Sequence, residues 1–304
     1  MDFLKWQAYA QQTEDPNLLV VLSRHEETYM RCVVASNKRT PPAVLQELAT
    51  DHEPVVRSGV ASNPNCTKQT LDLLLMDPDR DVLVSAGSNP GFPQARFPEW
   101  MALGGAACEE IARNPVCPEE VMLDLLKLYP HSDVPHNLLM NPCITPGVIE
   151  EIAASTDFEH VRAWTASHPK APASLVQRLL NDPDHEVRTA ALTHWACPVQ
   201  FLTAAVRTKD FDSWKAVAGN ARTPRNILLR LALYEYDAGE YANEDEDEWA
   251  IDRVCFRDVL VALASNPMTP RHVVERLAVS DDGTVAEAAQ ANPAKGTEDI
   301  LAPS

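Results

Sequence analysis

One nine-residue phrase recurs along this chain at a nearly constant interval, and that recurrence restricts the possible folds more than any other feature. It stands as Val56-Arg57-Ser58-Gly59-Val60-Ala61-Ser62-Asn63-Pro64, again as Val161-Arg162-Ala163-Trp164-Thr165-Ala166-Ser167-His168-Pro169, and again as Val259-Leu260-Val261-Ala262-Leu263-Ala264-Ser265-Asn266-Pro267. With the Asn or its substitute as anchor, copies fall at Gln11, Asn37, Asn63, Asn89, Asn114, Asn141, His168, His194, Asn220, Asn266 and Asn292. The intervals are 26, 26, 26, 25, 27, 27, 26, 26, 46 and 26. A fixed period of this size means stacked supersecondary units, each burying its apolar face only against its neighbours. One continuous array of about eleven repeats is expected where 304 residues would otherwise suggest two ordinary domains.

Each repeat reads as two helices. Apolar residues stand seven before the anchor (Met30, Val56, Val82, Val134, Val161, Val187, Val259, Val285) and three before it (Val34, Val60, Ile111, Leu138, Val217, Leu263), which places them on one helical face. A Pro follows most anchors, and the restriction it places on the preceding residue ends the first helix there. The second helix opens at Thr or Cys followed by Pro, as at Thr40-Pro41, Cys117-Pro118, Thr145-Pro146, Cys197-Pro198, Thr223-Pro224 and Thr269-Pro270. Such a pair predicts a capping side chain with Pro at the first helical position. The buried face then runs Val44, Leu45, Leu48, Ala49, or Leu175, Val176, Leu179, Leu180 in a later copy. A buried Asn at each turn predicts a ladder of hydrogen bonds, with His168 and His194 holding its place in two repeats because imidazole keeps one donor and one acceptor.

The phrases quoted above resemble the variant leucine-rich repeat family over roughly residues 4–301, and the link from Asp182 to Arg188 is similar to a HEAT repeat. The resemblance implies an all-α fold, an α-solenoid of two-helix repeats (one α-helix and one short α or 3-10 helix) coiled into a right-handed superhelix. One founding type of the family carries an iron–sulfur cluster in a Cys-rich N-terminal segment. No cysteine precedes Cys32 here, so no cluster is carried over.

Three places break the period. At 91–100 a second Pro falls where the second helix should run, which predicts a shortened helix and an exposed edge. Residues 129–136 form a smaller irregularity. The largest is an insertion over 234–253, which divides the array into repeats 1–233 and repeats 254–304 of the same solenoid. It holds nine acidic residues against one Arg, a net −8 out of 26 − 44 = −18 for the whole chain, together with three tyrosines and Trp249. A solvated, disordered loop is one reading. The other is an acidic, aromatic docking segment for a basic protein, with Tyr236, Asp237, Tyr241, Asp245, Asp247 and Trp249 as the contacting residues.

Other chemistry finds little support. Cys66, Cys117 and Cys197 repeat at one helix-start position, and stacked helices ~8–10 Å apart cannot bring their sulfurs within ~2.3 Å of one zinc ion. They read as capping or small buried residues, and the odd count of seven cysteines suits a reducing compartment. No nucleophile triad, phosphate loop or metalloprotease helix is present, so no catalytic residue, metal or cofactor is expected. Arg31, Arg57, Arg162 and Arg188 stand six before their anchors beside acidic links, which predicts an inter-repeat salt-bridge row in preference to a basic stripe for nucleic acid. No apolar run approaches the ~18 residues of a membrane span, and the first residues lack the character of a secretory signal. The expected protein is a monomeric cytosolic scaffold, not an enzyme, that binds a basic protein partner along its solenoid face and insertion, and not nucleic acid or membrane. The alternatives are a HEAT-like DNA glycosylase, which the net charge opposes, and a redox or metal carrier.

Overall fold

A computed structural model describes residues 12–234 and 246–296. Every regular element among them is helical, with twenty α-helices, two 3-10 turns and no strand. In chain order the helices are α1 (Pro16–Leu22), α2 (Thr28–Ser36), α3 (Pro42–Leu48), α4 (Pro54–Ser62), α5 (Lys68–Leu74), α6 (Arg80–Gly87), α7 (Phe97–Met101), α8 (Gly105–Arg113), α9 (Glu119–Leu128), α10 (Val134–Leu139) and α11 (Pro146–Ser155). They continue with α12 (Glu159–Ser167), α13 (Ala173–Leu179), α14 (His185–Thr193), α15 (Val199–Ala205), α16 (Phe211–Gly219), α17 (Arg225–Ala232), α18 (Glu246–Ser265), α19 (Arg271–Leu277) and α20 (Gly283–Gln290). Even numbers are the anchor helices and odd numbers the second helices. Two compact units divide the chain at Ser155/Thr156, well before the acidic insertion.

Within the first unit α2, α4, α6, α8 and α10 stack in sequence, and within the second α12, α14, α16, α18 and α20 do the same. The expected columns are the core of these stacks: Val34, Val56, Val60, Val82, Ile111, Leu138, Val187, Val217, Val259, Leu263 and Val285 are all buried. Most anchor helices end where expected, because the anchor adopts an extended backbone that the helix cannot continue, as at Asn63 with φ −74° and ψ 126°.

The expected cap of the second helix needs correcting. The N-cap lies four residues past the anchor, at Pro41, Thr67, Pro118, Pro172, Pro198, Pro224 and Pro270. Thr40, Thr223 and Thr269 lie three past it and face the other way. Their buried hydroxyls donate to the carbonyls of Val34, Val217 and Leu263 at 2.6, 2.6 and 2.7 Å, a second and shorter bond to acceptors that also take the anchor's own N–H at the end of the helix. Thr145 is four past Asn141, and it alone of the expected threonines caps as predicted, accepting from the Val148 N–H at 3.3 Å. The buried Cys117 and Cys197 share the Thr40 register and do not cap either.

At 91–100 the helix is shortened as expected, to a 3-10 turn (Gln94–Arg96) and the five residues of α7, with Pro98 tolerated in its first turn. The exposed edge is absent. Phe92, Phe97 and Trp100 are buried there, Phe92 stacking on Phe97 at 4.7 Å and meeting Trp100 edge-on at 5.4 Å. Three rings fill the volume that the missing turns would have occupied. The anchor helix α18 begins at Glu246, inside the expected insertion, and runs for 20 residues to Ser265. Tyr236, Asp237, Tyr241 and Asp245 lie outside the described residues, as does the copy anchored on Gln11. Asp247 and Trp249 fall in the opening turns of α18, with their side chains outside the described part.

Candidate interaction surface

The ladder is the frame on which any surface of this protein is carried. In the first unit the Nδ2 of Asn63 donates to the Ala35 and Asn37 carbonyls at 2.7 and 2.9 Å. Asn89 donates likewise to Ala61 and Asn63, Asn114 to Gly87 and Asn89, and Asn141 to Ala112 and Asn114. Asn37 starts the series on the Thr13 carbonyl at 3.1 Å. Each Oδ1 then accepts the N–H two residues on, as from Asn65 to Asn63 at 2.9 Å. One side chain therefore closes its own turn and ties that turn to the last carbonyls of the preceding anchor helix.

The second unit repeats this with His in place of Asn at two anchors, His168 and His194. His194 is buried, its Nε2 lying 3.0 Å from the His168 carbonyl and its Nδ1 accepting the Ala196 N–H at 3.0 Å, so the ring is the neutral tautomer with the proton on Nε2. Burial pushes this imidazole below its ordinary pKa, and the hydrogen bond to His168 offsets only part of that. His168 is half-buried and accepts the Lys170 N–H at 3.1 Å through Nδ1. Asn220 donates to Leu192 and His194, and Asn292 to Ala264 and Asn266. Asn266 donates to Ala218 at 2.7 Å and to Asn220 at 3.0 Å across the 46-residue interval. The ladder thus closes over the insertion with the distances it has elsewhere.

The arginine row is a salt-bridge row, but each partner lies in the link after the second helix of the same repeat, not in the link before the anchor helix. Arg31 meets Asp51 through two bonds at 2.6 and 3.1 Å, Arg57 meets Asp77 at 2.7 and 2.9 Å, and Arg162 meets Asp182 at 3.0 and 3.2 Å. The third donor of each guanidinium reaches back to carbonyls of the preceding link, as from Arg57 to Asp51. The Arg57 guanidinium holds the Asp77 carboxyl below the usual carboxylate range. At Asp51 and Asp182 burial acts to raise the pKa, and the arginine and backbone hydrogen bonds outweigh it. Arg188 departs from the row. Thr208 stands where the aspartate should be, and among the described residues Arg188 donates only to the Asp182 and Pro183 carbonyls. A guanidinium whose charge is met by a carboxylate offers little attraction to a phosphate, so three of the four arginines are spent within the fold.

All seven cysteines are free. Burial pushes Cys66 and Cys117 up to about 12 and Cys197 up to about 11, which keeps them as thiols at neutral pH and unsuited to metal or nucleophilic work. No group of three or more His, Cys, Asp or Glu among the described residues is gathered for a metal ion. No described helix is long and apolar enough to cross a membrane.

The two ends of the acidic insertion are held by a ring cluster that sequence reasoning missed. Tyr234, its first residue, meets Trp214 edge-on at 4.8 Å and Phe256, just after it, at 5.3 Å, while Phe211 packs on Trp214 and Phe256 at 5.5 and 5.8 Å. Trp214 occupies the arginine-row position of its repeat, six before Asn220. That replacement of a salt-bridging Arg by an indole was the available signal.

No family model matches this chain, and no curated protein sequence does. Among solved structures, an engineered protein aligns over 92% of this chain and 98% of its own at 15% identity, with a TM-score of 0.28, a likeness too low to carry an argument.

Proposed function

We propose that this chain is a non-enzymatic repeat scaffold, of the variant leucine-rich or HEAT-like kind, that binds a basic surface or segment of another protein. The observation that carries the reading is the continuity of the ladder from Asn220 to Asn266 across the acidic insertion. Twenty extra residues with a net charge of −8 leave the stack as it is elsewhere, so their composition answers to something other than packing. A concentrated negative field raises the encounter rate of basic partners and falls off with salt. The carboxylates paired with Arg31, Arg57 and Arg162 and the total of −18 oppose a phosphate backbone, which is why the glycosylase reading is not adopted.

The test replaces the eight acids between 235 and 248 by their amides and compares capture of partners from native lysate. The intact chain should capture basic proteins at about 50 mM salt and lose most of them at about 300 mM, as screening shortens the field. The amide variant should lose that capture at low salt. Equal capture by the two forms at low salt returns 234–253 to the reading of a solvated loop.

A further inference from the structure

A groove of about 540 Å³ crosses the anchor helices of the second unit, and its lining includes Glu186, Thr189, Asp212, Ala216, Gly219 and Ala262. Its floor follows from the repeat. The residues four or one before the anchor that line it are Thr193 on α14, Ala216 and Gly219 on α16, and Ala262 on α18. Such short side chains leave the helices open to close approach by another backbone. On α12 the same register holds Trp164 instead, 43% exposed, with the His160 ring edge-on at 5.2 Å.

The rim is acidic at one repeated position. Eight before the anchor stand Glu186, Asp212 and Asp258 on three successive stacked helices. Asp258 is occupied by Lys215 at 2.8 Å, and His185 is taken by Asp210 at 2.8 Å. Glu186 and Asp212 are exposed and pair with no cation among the described residues. Between them the Thr189 hydroxyl is shielded from solvent and has no hydrogen-bond partner.

Packed helices lie ~8–10 Å apart, so the free carboxylates recur at about that interval. A polyproline-II chain rises ~3.1 Å per residue with three residues per turn, which puts every third side chain on one face ~9 Å apart. A β-strand would turn the third residue to the opposite face. An α-helix consumes its own carbonyls, whereas a polyproline-II backbone leaves them free to accept from Thr189. We propose that this groove receives an extended, polyproline-II-like segment of a partner protein with Lys or Arg at every third residue. Its cations pair with Glu186 and Asp212, and its prolines stack towards Trp164. The inference rests on the basic-partner reading for the sign of the partner only and uses none of the insertion.

The probe is a fluorescent peptide of three Arg-Pro-Pro triplets, with a control of the same composition whose arginines are consecutive. Binding is measured by anisotropy to the full chain, to a Glu186→Gln/Asp212→Asn double variant and to Gly219→Met. A side chain at Gly219 meets no atom within 4 Å of its Cβ and replaces a poor helix former, so this variant folds and fills the groove. The intact chain should prefer the triplet peptide over the control, and each variant should weaken it by about tenfold, the loss expected when close charge pairs or contact surface are removed. The amide-substituted insertion should leave the affinity within about twofold, since no residue of the insertion lines the groove. Unchanged affinity in either groove variant, equal binding of the control, or no binding to the intact chain overturns the proposal. A loss confined to the insertion variant also overturns it while leaving the basic-partner reading standing. Self-association abolished by Gly219→Met would give the groove to a second copy and overturn it likewise.

Discussion

Asn63 is 2% exposed and uses both ends of its amide, two donated bonds to the previous repeat and one accepted bond within its own turn. Replacing it by the near-isosteric Leu removes the side-chain donor from the buried Ala35 carbonyl, leaves the Asn37 carbonyl with only the Thr40 N–H, and frees the Asn65 N–H of its acceptor. Asn63→Leu should therefore lower the unfolding free energy by about 1–3 kcal/mol, read by denaturant titration with circular dichroism. His194 performs the same task with a group that titrates. Its folded pKa is lowered from 6.5 by burial, which the hydrogen bond to His168 only partly offsets. The unfolded chain thus binds a proton below 6.5 that the folded chain resists, and stability falls as pH drops from there to the folded pKa. His194→Asn should flatten the fall of the melting temperature as pH drops below about 6.5, the ordinary histidine value. An identical slope in the two proteins would remove His194 from the account.

Among the elements, the shortened second helix α7 shows how a broken repeat is repaired. Trp100 lies against the backbone of α6 where only Gly87 leaves room, since a Cβ there would sit 2.3 Å from the ring. A Gly in an exposed helix is ordinarily worth about 1 kcal/mol less than Ala. At Gly87 the sign reverses, because Trp100 is buried and held edge-on by Phe92. Gly87→Ala should destabilise by about 1–3 kcal/mol, the usual range for overpacking a core, whereas Gly219→Ala, with open space around the Cβ, should stabilise by up to about 1 kcal/mol. Chemical denaturation of the pair distinguishes the two, and a stabilising Gly87→Ala would mean that Trp100 moves freely. The aromatic filling of this repeat was not legible in the sequence. The misplaced Pro98 announces a lost helix but says nothing of which side chains will fill the vacated volume.

On the scale of the whole molecule, each repeat is covered by its neighbours and the charge is gathered where the ladder does not need it. Changing the eight acids at 235–248 to amides should accordingly shift the melting temperature by no more than about 4 °C, the effect of roughly 1 kcal/mol in a chain of this size. Part of that shift comes from Glu246, Asp247 and Glu248, which stand at the positive N-terminal end of α18. A larger loss would make the insertion part of the stack. The sequence by itself determined the repeat, its two helices, the buried columns and the Asn ladder. A 26-residue period with apolar residues at helical spacing admits no other way of hiding that surface, and an Asn before Pro has few other uses when buried. Only the tertiary structure decided what depends on register between repeats. That includes the threonines turned back onto the anchor helix, the arginines paired forward to the next link, the ring cluster closing the insertion, and the groove over α14, α16 and α18. These follow from which residues twenty or more positions apart are brought within a few ångströms, and local pattern does not carry that distance.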